Sequence, residues 1–242
     1  MSSVSVIVTT YHPGRQSGLD GIAKAWLTQP VEQVWILDGL GSYRPGPYFS
    51  AMEEGADERF RVFKTGPPDI GNGADYCFAL MTSGDYVILA DDDMVPCEGF
   101  VERCLEHAGA ADILGVIGRI FKGPQYRGDT LFVAGAKATQ PTPVDFVGVC
   151  TFCHRRCFGF DVRGLHPELR NCDDLWWQMK QCPELSKAVI PVGGLYRNLP
   201  TSRGADPSSM FRSGLDQSRQ DFYEKHYRLG NYYHATKKES EG

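Results

Sequence analysis

Residues Val4 to Thr10 alternate and then run apolar, as a buried parallel strand does, and Tyr11, His12, Pro13, Gly14 and Arg15 follow as a loop rich in turn formers. Leu19, Ile22, Ala23, Trp26 and Leu27 recur at helical spacing. They predict a helix from Gly18 to Thr28 that stops before Pro30. Val34 to Asp38 reads as a second buried strand, with Asp38 at its carboxyl end just ahead of Gly39, Gly41 and Ser42. Arg61 to Lys64 predicts a short third strand, Asn72 to Met81 a helix, and Tyr86 to Ala90 another buried strand. Strand and helix thus alternate through this span, which predicts an α/β fold with a mainly parallel central sheet and helices on both faces.

Beyond Pro96 the spacing predicts a helix over Glu98 to Ala108 and a strand over Ile113 to Phe121, interrupted by Gly115 and Gly118. Lys122 to Pro143 is rich in Gly, Pro, Thr and Gln and suits a loop or β-ribbon over a ligand. Val144 to Cys153 reads as a strand, Arg155 and Arg156 as its charged exit, and Asn171 to Gln181 as a helix. In that helix Asp173 and Asp174 occupy the first turn, where the macrodipole favours acids, and Leu175, Trp176 and Met179 form the apolar stripe. Trp176 and Trp177 point about 100° apart on a helix, so one is expected in the core and the other toward an acceptor ring. Ile190 to Ser213 reads as loop, and Gln217 to Tyr227 as a last helix. One domain over 1–236 is expected, dividing near residue 96, with a disordered tail over 237–242.

The stretch from Gly84 to Pro96 gives this pattern its chemistry. Its apolar strand delivers three consecutive carboxylates, Asp91, Asp92 and Asp93, at the carboxyl end, where an open α/β sheet binds ligands. Adjacent like charges destabilise one another unless a cation or strong donors compensate. Strand alternation puts Asp91 and Asp93 on one face with Asp92 turned away. Hard oxygen donors of this kind suit Mg²⁺ or Mn²⁺. The competing reading is a solvated acidic turn closed by Pro96.

With 242 residues, 42% of them hydrophobic, the chain can bury a full core. A net charge of −5 argues against a broad phosphate-binding surface, so nucleic acid is not indicated, although Arg155, Arg156, Arg163 and Arg170 offer a local basic patch. Met1 to Thr10 lacks the basic start and long apolar core of a signal peptide, and no apolar run approaches the ~18 residues of a membrane span. A soluble, cytoplasmic protein without stable membrane insertion is expected, and its eight cysteines then read as reduced thiols.

The stretch Val4 to Tyr11, the strand ending in Asp38, the segment Gly84 to Pro96, and Asp173 with Asp174 after an Arg-Arg strand exit resemble family 2 glycosyltransferases of the GT-A fold over roughly residues 4–180. The resemblance implies transfer of a sugar from a nucleotide-diphosphate sugar, a UDP-sugar by preference, to a hydroxyl acceptor with inversion. Asp91 and Asp93 would form the Asp-x-Asp motif and hold the metal and the nucleotide sugar. Asp92 and Arg197 would join the donor site, and Thr9, Tyr11 and Asp38 would line the nucleoside pocket. Residues to about 96 would form the nucleotide-sugar half and 97–236 the acceptor half. Asp174, with Asp173 beside it, matches the family's catalytic base. Asp75 and Tyr76 stand where the family carries an Asn and a basic residue. The family's late His is missing near Tyr196 to Asn198, so His226, His234, or water and diphosphate oxygens complete the metal shell.

The chemistry fits these residues on its own terms. Glycosyl transfer must stabilise charge on a leaving diphosphate and remove a proton from the attacking hydroxyl. A metal on Asp93 answers the first need and Asp174 the second, while helix capping is the plainer role for the acidic pair. The segment Leu195 to Ser213, with Arg197 and Arg203, is expected to order over the diphosphate as a lid. A nucleotidyltransferase is the main alternative, but it needs a Gly-rich basic loop where this chain has only Gly14 and Arg15. Cys150, Cys153, His154, Cys157 and Cys172 also mimic haem-attachment and zinc spacings, which leaves a non-catalytic zinc or nucleotide-binding module as a third reading. Buried thiols on a core strand account for them more simply.

Overall fold

A computed structural model of the chain describes residues 2–11, 13–46, 57–64, 73–159, 172–199 and 216–228. Arg163, Arg170, Arg203, His234 and the tail over 237–242 lie outside the described residues. Strand β1 (Val4–Thr10) pairs in parallel with β2 (Gln33–Asp38) on one side and with β4 (Tyr86–Asp91) on the other, and β2 pairs in parallel with β3 (Phe60–Lys64). Past β4 the sheet continues through β11 (Thr151–His154), β6 (Ile113–Gly115), β12 (Lys187–Val189) and β9 (Thr142–Pro143). Of these, β11 runs antiparallel to both neighbours and β9 antiparallel to β12, while β12 is parallel to β6. The result is a mainly parallel eight-stranded sheet in the order β3-β2-β1-β4-β11-β6-β12-β9.

Because strand side chains alternate, the continuous apolar run of β1 feeds two cores at once. Val6 and Val8 join Ile88 and Ala90 under helices α1 (Leu19–Leu27) and α3 (Phe100–Glu106), where Trp26 meets Phe100 edge-on at 5.6 Å. On the opposite face Ile7 and Val87 pack with Tyr76 and Ala79 of α2 (Ala74–Met81) and with Trp176 of α4 (Asp173–Trp176). Each such fully buried side chain contributes about 1.5–3 kcal/mol. A π-helical turn, Trp177–Gln181, prolongs α4 and swings Trp177 inward against Phe158, with ring centroids 5.0 Å apart. Both tryptophans are therefore core residues, and neither faces an acceptor as the helical spacing suggested.

A second sheet, β10 (Phe146–Val149), β7 (Ile117–Phe121) and β8 (Thr130–Ala134), is antiparallel and carries a third core. There Phe121 and Phe146 pack with Leu175, Met179 and Tyr223 of the last helix, α5 (Asp216–Arg228). The two strands expected over 113–121 and 144–153 each break in two because each crosses from one sheet to the other. The first crosses beside Gly115, where an added Cβ would lie 2.0 Å from Val147 Cγ1, and the second at Cys150, whose φ is 47°. The turn-rich segment after β1 winds into a 3₁₀ helix, Pro13–Gly18. Within the stretch read as loop, Tyr196–Asn198 forms β13 and pairs antiparallel with β5 (Met94–Pro96).

The cysteine spacing does not survive folding as a metal site. Cys150 lies in the core under α1, Cys153 and Cys157 lie in the core on the other face, and Cys172 lies in the third core. Arg155 donates to the Thr82 carbonyl and sits where β11 meets the amino end of β4, at the opposite edge of the sheet from the acidic triplet. No helix among the described residues is long and apolar enough to cross a membrane.

Candidate active site

Parallel register brings three strand ends to one edge: Thr10 lies opposite Asp38, and Thr9 lies between Leu37 and Asp91. The sheet order reverses direction between β1 and β4, so the crevice opens there. Alternation ends at Asp91, the last residue of β4, because Asp92 and Asp93 form the turn into β5. The expected sharing of a face by Asp91 and Asp93 through strand alternation is therefore not how they meet. Asp92 is buried, accepting from the Thr10 hydroxyl at 2.8 Å and from Arg15 Nη1 at 2.5 Å. The same Nη1 lies 3.4 Å from Asp93 Oδ2. One guanidinium from the 3₁₀ helix thus ties the acidic turn to the loop after β1. Asp91 follows the parity of Val87 and Leu89, on the α2 side of the sheet, and its carboxyl is pushed up to about 8. Burial is the largest cause, followed by the charges of Asp93 and Asp92, with Arg15 opposing them.

Asp38 is fully buried and organises its own loop, accepting from the Leu40 amide at 3.1 Å and the Tyr43 amide at 2.7 Å. The Tyr43 hydroxyl in turn donates to Asp20 of α1, and the Gly46 amide donates to the other Asp20 oxygen at 2.8 Å. Asp38, expected to line a nucleoside pocket, has both carboxylate oxygens engaged by the amides of its own loop. Tyr11 leans on that loop so closely that a Cβ at Gly39 would lie 1.9 Å from its Cε1. On the far side of the crevice, the β13–β5 pairing sets Arg197 opposite Val95, and the Leu199 amide donates to the Asp93 carbonyl at 2.7 Å. The Arg197 side chain is exposed beside the acidic turn, and Leu199 reaches back toward Gly18.

The acidic pair of α4 divides in environment. Asp173 is buried, accepts from the Tyr76 hydroxyl at 3.1 Å and faces the buried Asp75 of α2. Burial is the largest cause raising both Asp75 and Asp173, followed by the charge of Asp173 for Asp75 and the charge of Asp174 for Asp173. Asp174 is partly exposed and forms a bidentate pair with Arg219 of α5, at 2.8 and 2.9 Å. Asp174 is also among the charges that raise Asp91, so the pair and the triplet share one electrostatic neighbourhood.

Asp91 ends β4 and Asp93 stands in the turn that follows, and two carboxylates so placed are a donor set that fits Mg²⁺ or Mn²⁺, ions commonly held by one or two carboxylates plus phosphate oxygens and water. Among the described residues no group of three or more His, Cys, Asp or Glu side chains could hold a metal by itself. His226 therefore does not complete a shell; it packs on Phe222 at 4.2 Å. Sequence reasoning passed over Thr10 and Arg219, and saw no role for Arg15 at the triplet. Arg219 had one visible signal, since it lies at i−4 and i−7 from Tyr223 and His226 on the buried stripe of α5.

No family model and no curated protein matches the chain. Among solved structures, S. aureus TarS 1-349 in complex with UDP-GlcNAc is similar over 93% of this chain and 73% of its own, at 16% identity and a TM-score of 0.55. The same portion in complex with UDP matches over 93% and 72%, at 15% identity and a TM-score of 0.54. A further S. aureus TarS structure matches over 81% of this chain and 36% of its own, at 14% identity and a TM-score of 0.52. At such identities the likeness shows the fold, and that fold is the GT-A, Rossmann-like arrangement anticipated above.

Proposed function

We propose that this chain is a glycosyltransferase that moves a sugar from a nucleotide-diphosphate sugar, a UDP-sugar in the first instance, to a hydroxyl acceptor with inversion. The observation that carries the reading is the parallel register that brings Thr10, Asp38 and the Asp91–Asp93 turn to one edge of the sheet, with the Thr10 hydroxyl donating to Asp92 at 2.8 Å. The fold is shared with a protein crystallised with UDP-GlcNAc and with UDP. Tyr11 and Thr9 line the side on which a nucleoside would rest, and Arg15 and Arg197 flank the turn where a diphosphate would lie. Asp91 and Asp93 would hold a divalent cation, which as a Lewis acid stabilises a leaving diphosphate by several kcal/mol.

The residues on the acceptor side take the proton. As the acceptor oxygen bonds to the anomeric carbon, the bond from that carbon to the diphosphate oxygen breaks, and the hydroxyl proton passes to a carboxylate. Asp174, with a side chain 28% exposed, is reachable by an acceptor, whereas Asp173 is enclosed. A single base of this kind, acting from the side opposite the leaving group, gives inversion. The reading is tested by thermal shift and UDP release with UDP-, GDP-, dTDP- and CMP-sugars, each with and without Mn²⁺. Stabilisation by UDP and its sugar in the presence of Mn²⁺, with slow hydrolysis of that sugar, is expected. Absence of both, for every donor, refutes the reading.

A further inference from the structure

Arg219 is an unusual residue to find inside a helix that packs on the body of the protein. Alpha-5 places it on the same buried stripe as Tyr223, and its side chain is only 7% exposed. Burying a guanidinium without partners is strongly unfavourable, so its contacts must offset a large desolvation term. Nη1 and Nη2 donate to the two oxygens of Asp174 at 2.8 and 2.9 Å, and Nη2 also donates to the Tyr126 hydroxyl at 2.9 Å. The guanidinium carbon lies 5.2 Å from the Tyr126 ring centroid and 5.8 Å from that of Phe146, within reach of both π faces.

The clamp leaves Asp174 with little freedom. Its Oδ1 accepts both from Arg219 and from the Leu175 amide at 2.8 Å, which fills that oxygen. Among the described residues Oδ2 accepts only from Arg219, so one acceptor direction remains there. The clamp is itself anchored. Gln220 Oε1 accepts from the Tyr126 amide at 2.7 Å, Gln220 Nε2 donates to the Pro124 carbonyl at 3.0 Å, and the Tyr223 hydroxyl donates to the Gly123 carbonyl at 2.6 Å. Alpha-5 thus holds the strand-connecting segment 123–126, and that segment holds the tyrosine against which Arg219 is braced.

We propose that Arg219 is a positioning residue: it locks the Asp174 carboxylate so that Oδ2 offers its remaining acceptor direction to the acceptor hydroxyl. This rests on the glycosyltransferase reading and adds to it that the last helix, 45 residues beyond the base, is part of the active site. A lysine keeps the charge at this position but presents a point donor in place of a planar fork, so it cannot hold both oxygens in one orientation. Arg219→Lys and Tyr126→Phe, which removes only the hydroxyl bracing Nη2, separate orientation from charge.

The measurements are kcat and KM for the UDP-sugar, stabilisation by UDP with Mn²⁺, and melting temperature, for wild type and both variants. Arg219→Lys is expected to lower kcat by roughly 10- to 100-fold with donor KM and UDP stabilisation unchanged, since a misplacement of about 1 Å costs up to about 10²-fold. Tyr126→Phe is expected to lower kcat several-fold with the same pattern. Near-normal kcat in Arg219→Lys, or a joint loss of kcat, donor affinity and melting temperature in both variants, overturns the proposal. Should Arg219→Lys not fold, Tyr126→Phe decides alone, and unchanged kcat there overturns it. A wild type that releases no UDP from any donor instead refutes the parent reading, and the two failures are told apart by which protein shows them.

Discussion

A methyl group added at Gly39 tests the role of Tyr11 without altering Tyr11 itself. The new Cβ would lie 1.9 Å from Cε1, 2.1 Å from Cδ1 and 2.8 Å from Cζ of the ring. Carbon atoms in ordinary contact stand about 3.5–4.0 Å apart, so the ring must retreat by about 1.5 Å or more. Tyr11 is half-buried, so part of its ring already faces solvent. The folding cost of Gly39→Ala should therefore be at the low end for overpacking, about 1 kcal/mol. If the ring supports the nucleobase, the contact at risk is worth about 1–3 kcal/mol, and losing it weakens UDP binding by roughly 5- to 150-fold. Gly41→Ala is the control: its φ of 67° makes alanine strained, but nothing lies within 4 Å of the added methyl, so Tyr11 stays in place. Calorimetric titration with UDP and Mn²⁺, paired with urea unfolding, reads both effects. Gly39→Ala that loses stability yet binds UDP as tightly as wild type would show that Tyr11 is not the nucleoside support.

The remaining predictions concern the carboxylates. Asp93→Ala should abolish Mn²⁺-dependent stabilisation by UDP while leaving the fold intact, and unchanged stabilisation in a thermal-shift assay would contradict a metal held there. Asp174→Asn should keep UDP-sugar affinity and cut turnover by on the order of 10²-fold or more, with Asp173→Asn less damaging; steady-state rates at saturating donor decide between them. Asp75→Asn addresses the buried pair. Burial and the charge of Asp173 raise the Asp75 carboxyl well above 3.8 in the folded state. Its contribution to stability is therefore full below about pH 4 and is lost as pH rises, so the variant should gain on wild type between pH 5 and pH 8. Urea midpoints at those two values check this, and a pH-independent difference would refute it.

Strands β1, β2 and β4 were legible because a buried strand leaves an apolar run that a surface segment rarely carries, whereas β3 shows only the short alternation of Phe60, Val62 and Lys64. Val4 to Thr10 and Tyr86 to Ala90 name their strands to within a residue. Strands that trade sheets were not legible. Ile113 to Phe121 is apolar apart from Arg119 and its two glycines, and only the approach of Val147 to Gly115 shows where it leaves one sheet for the other. Beta-12 escaped because it is three residues long and includes a buried lysine, Lys187, whose Nζ donates to the Leu185 carbonyl at 2.7 Å.

The candidate site divides in the same way. The chain by itself determined that carboxylates stand at the ends of buried strands and in the first turn of a helix, since those positions follow from local periodicity. Which charge meets which was decided only by tertiary structure. Arg15 reaches Asp92 across 77 positions, Tyr76 reaches Asp173 across 97, and Arg219 reaches Asp174 across 45. Periodicity reports the face a side chain occupies, and it is silent about the partner that face will meet, because that pairing depends on how separate elements dock. Asp38, Asp92 and Asp174 look alike in the chain, yet folding gives the first a ring of amides, the second a threonine and an arginine, and the third a guanidinium fork. Those surroundings set which carboxylate shapes a loop, which ties a turn, and which is held by a guanidinium at a partly exposed position.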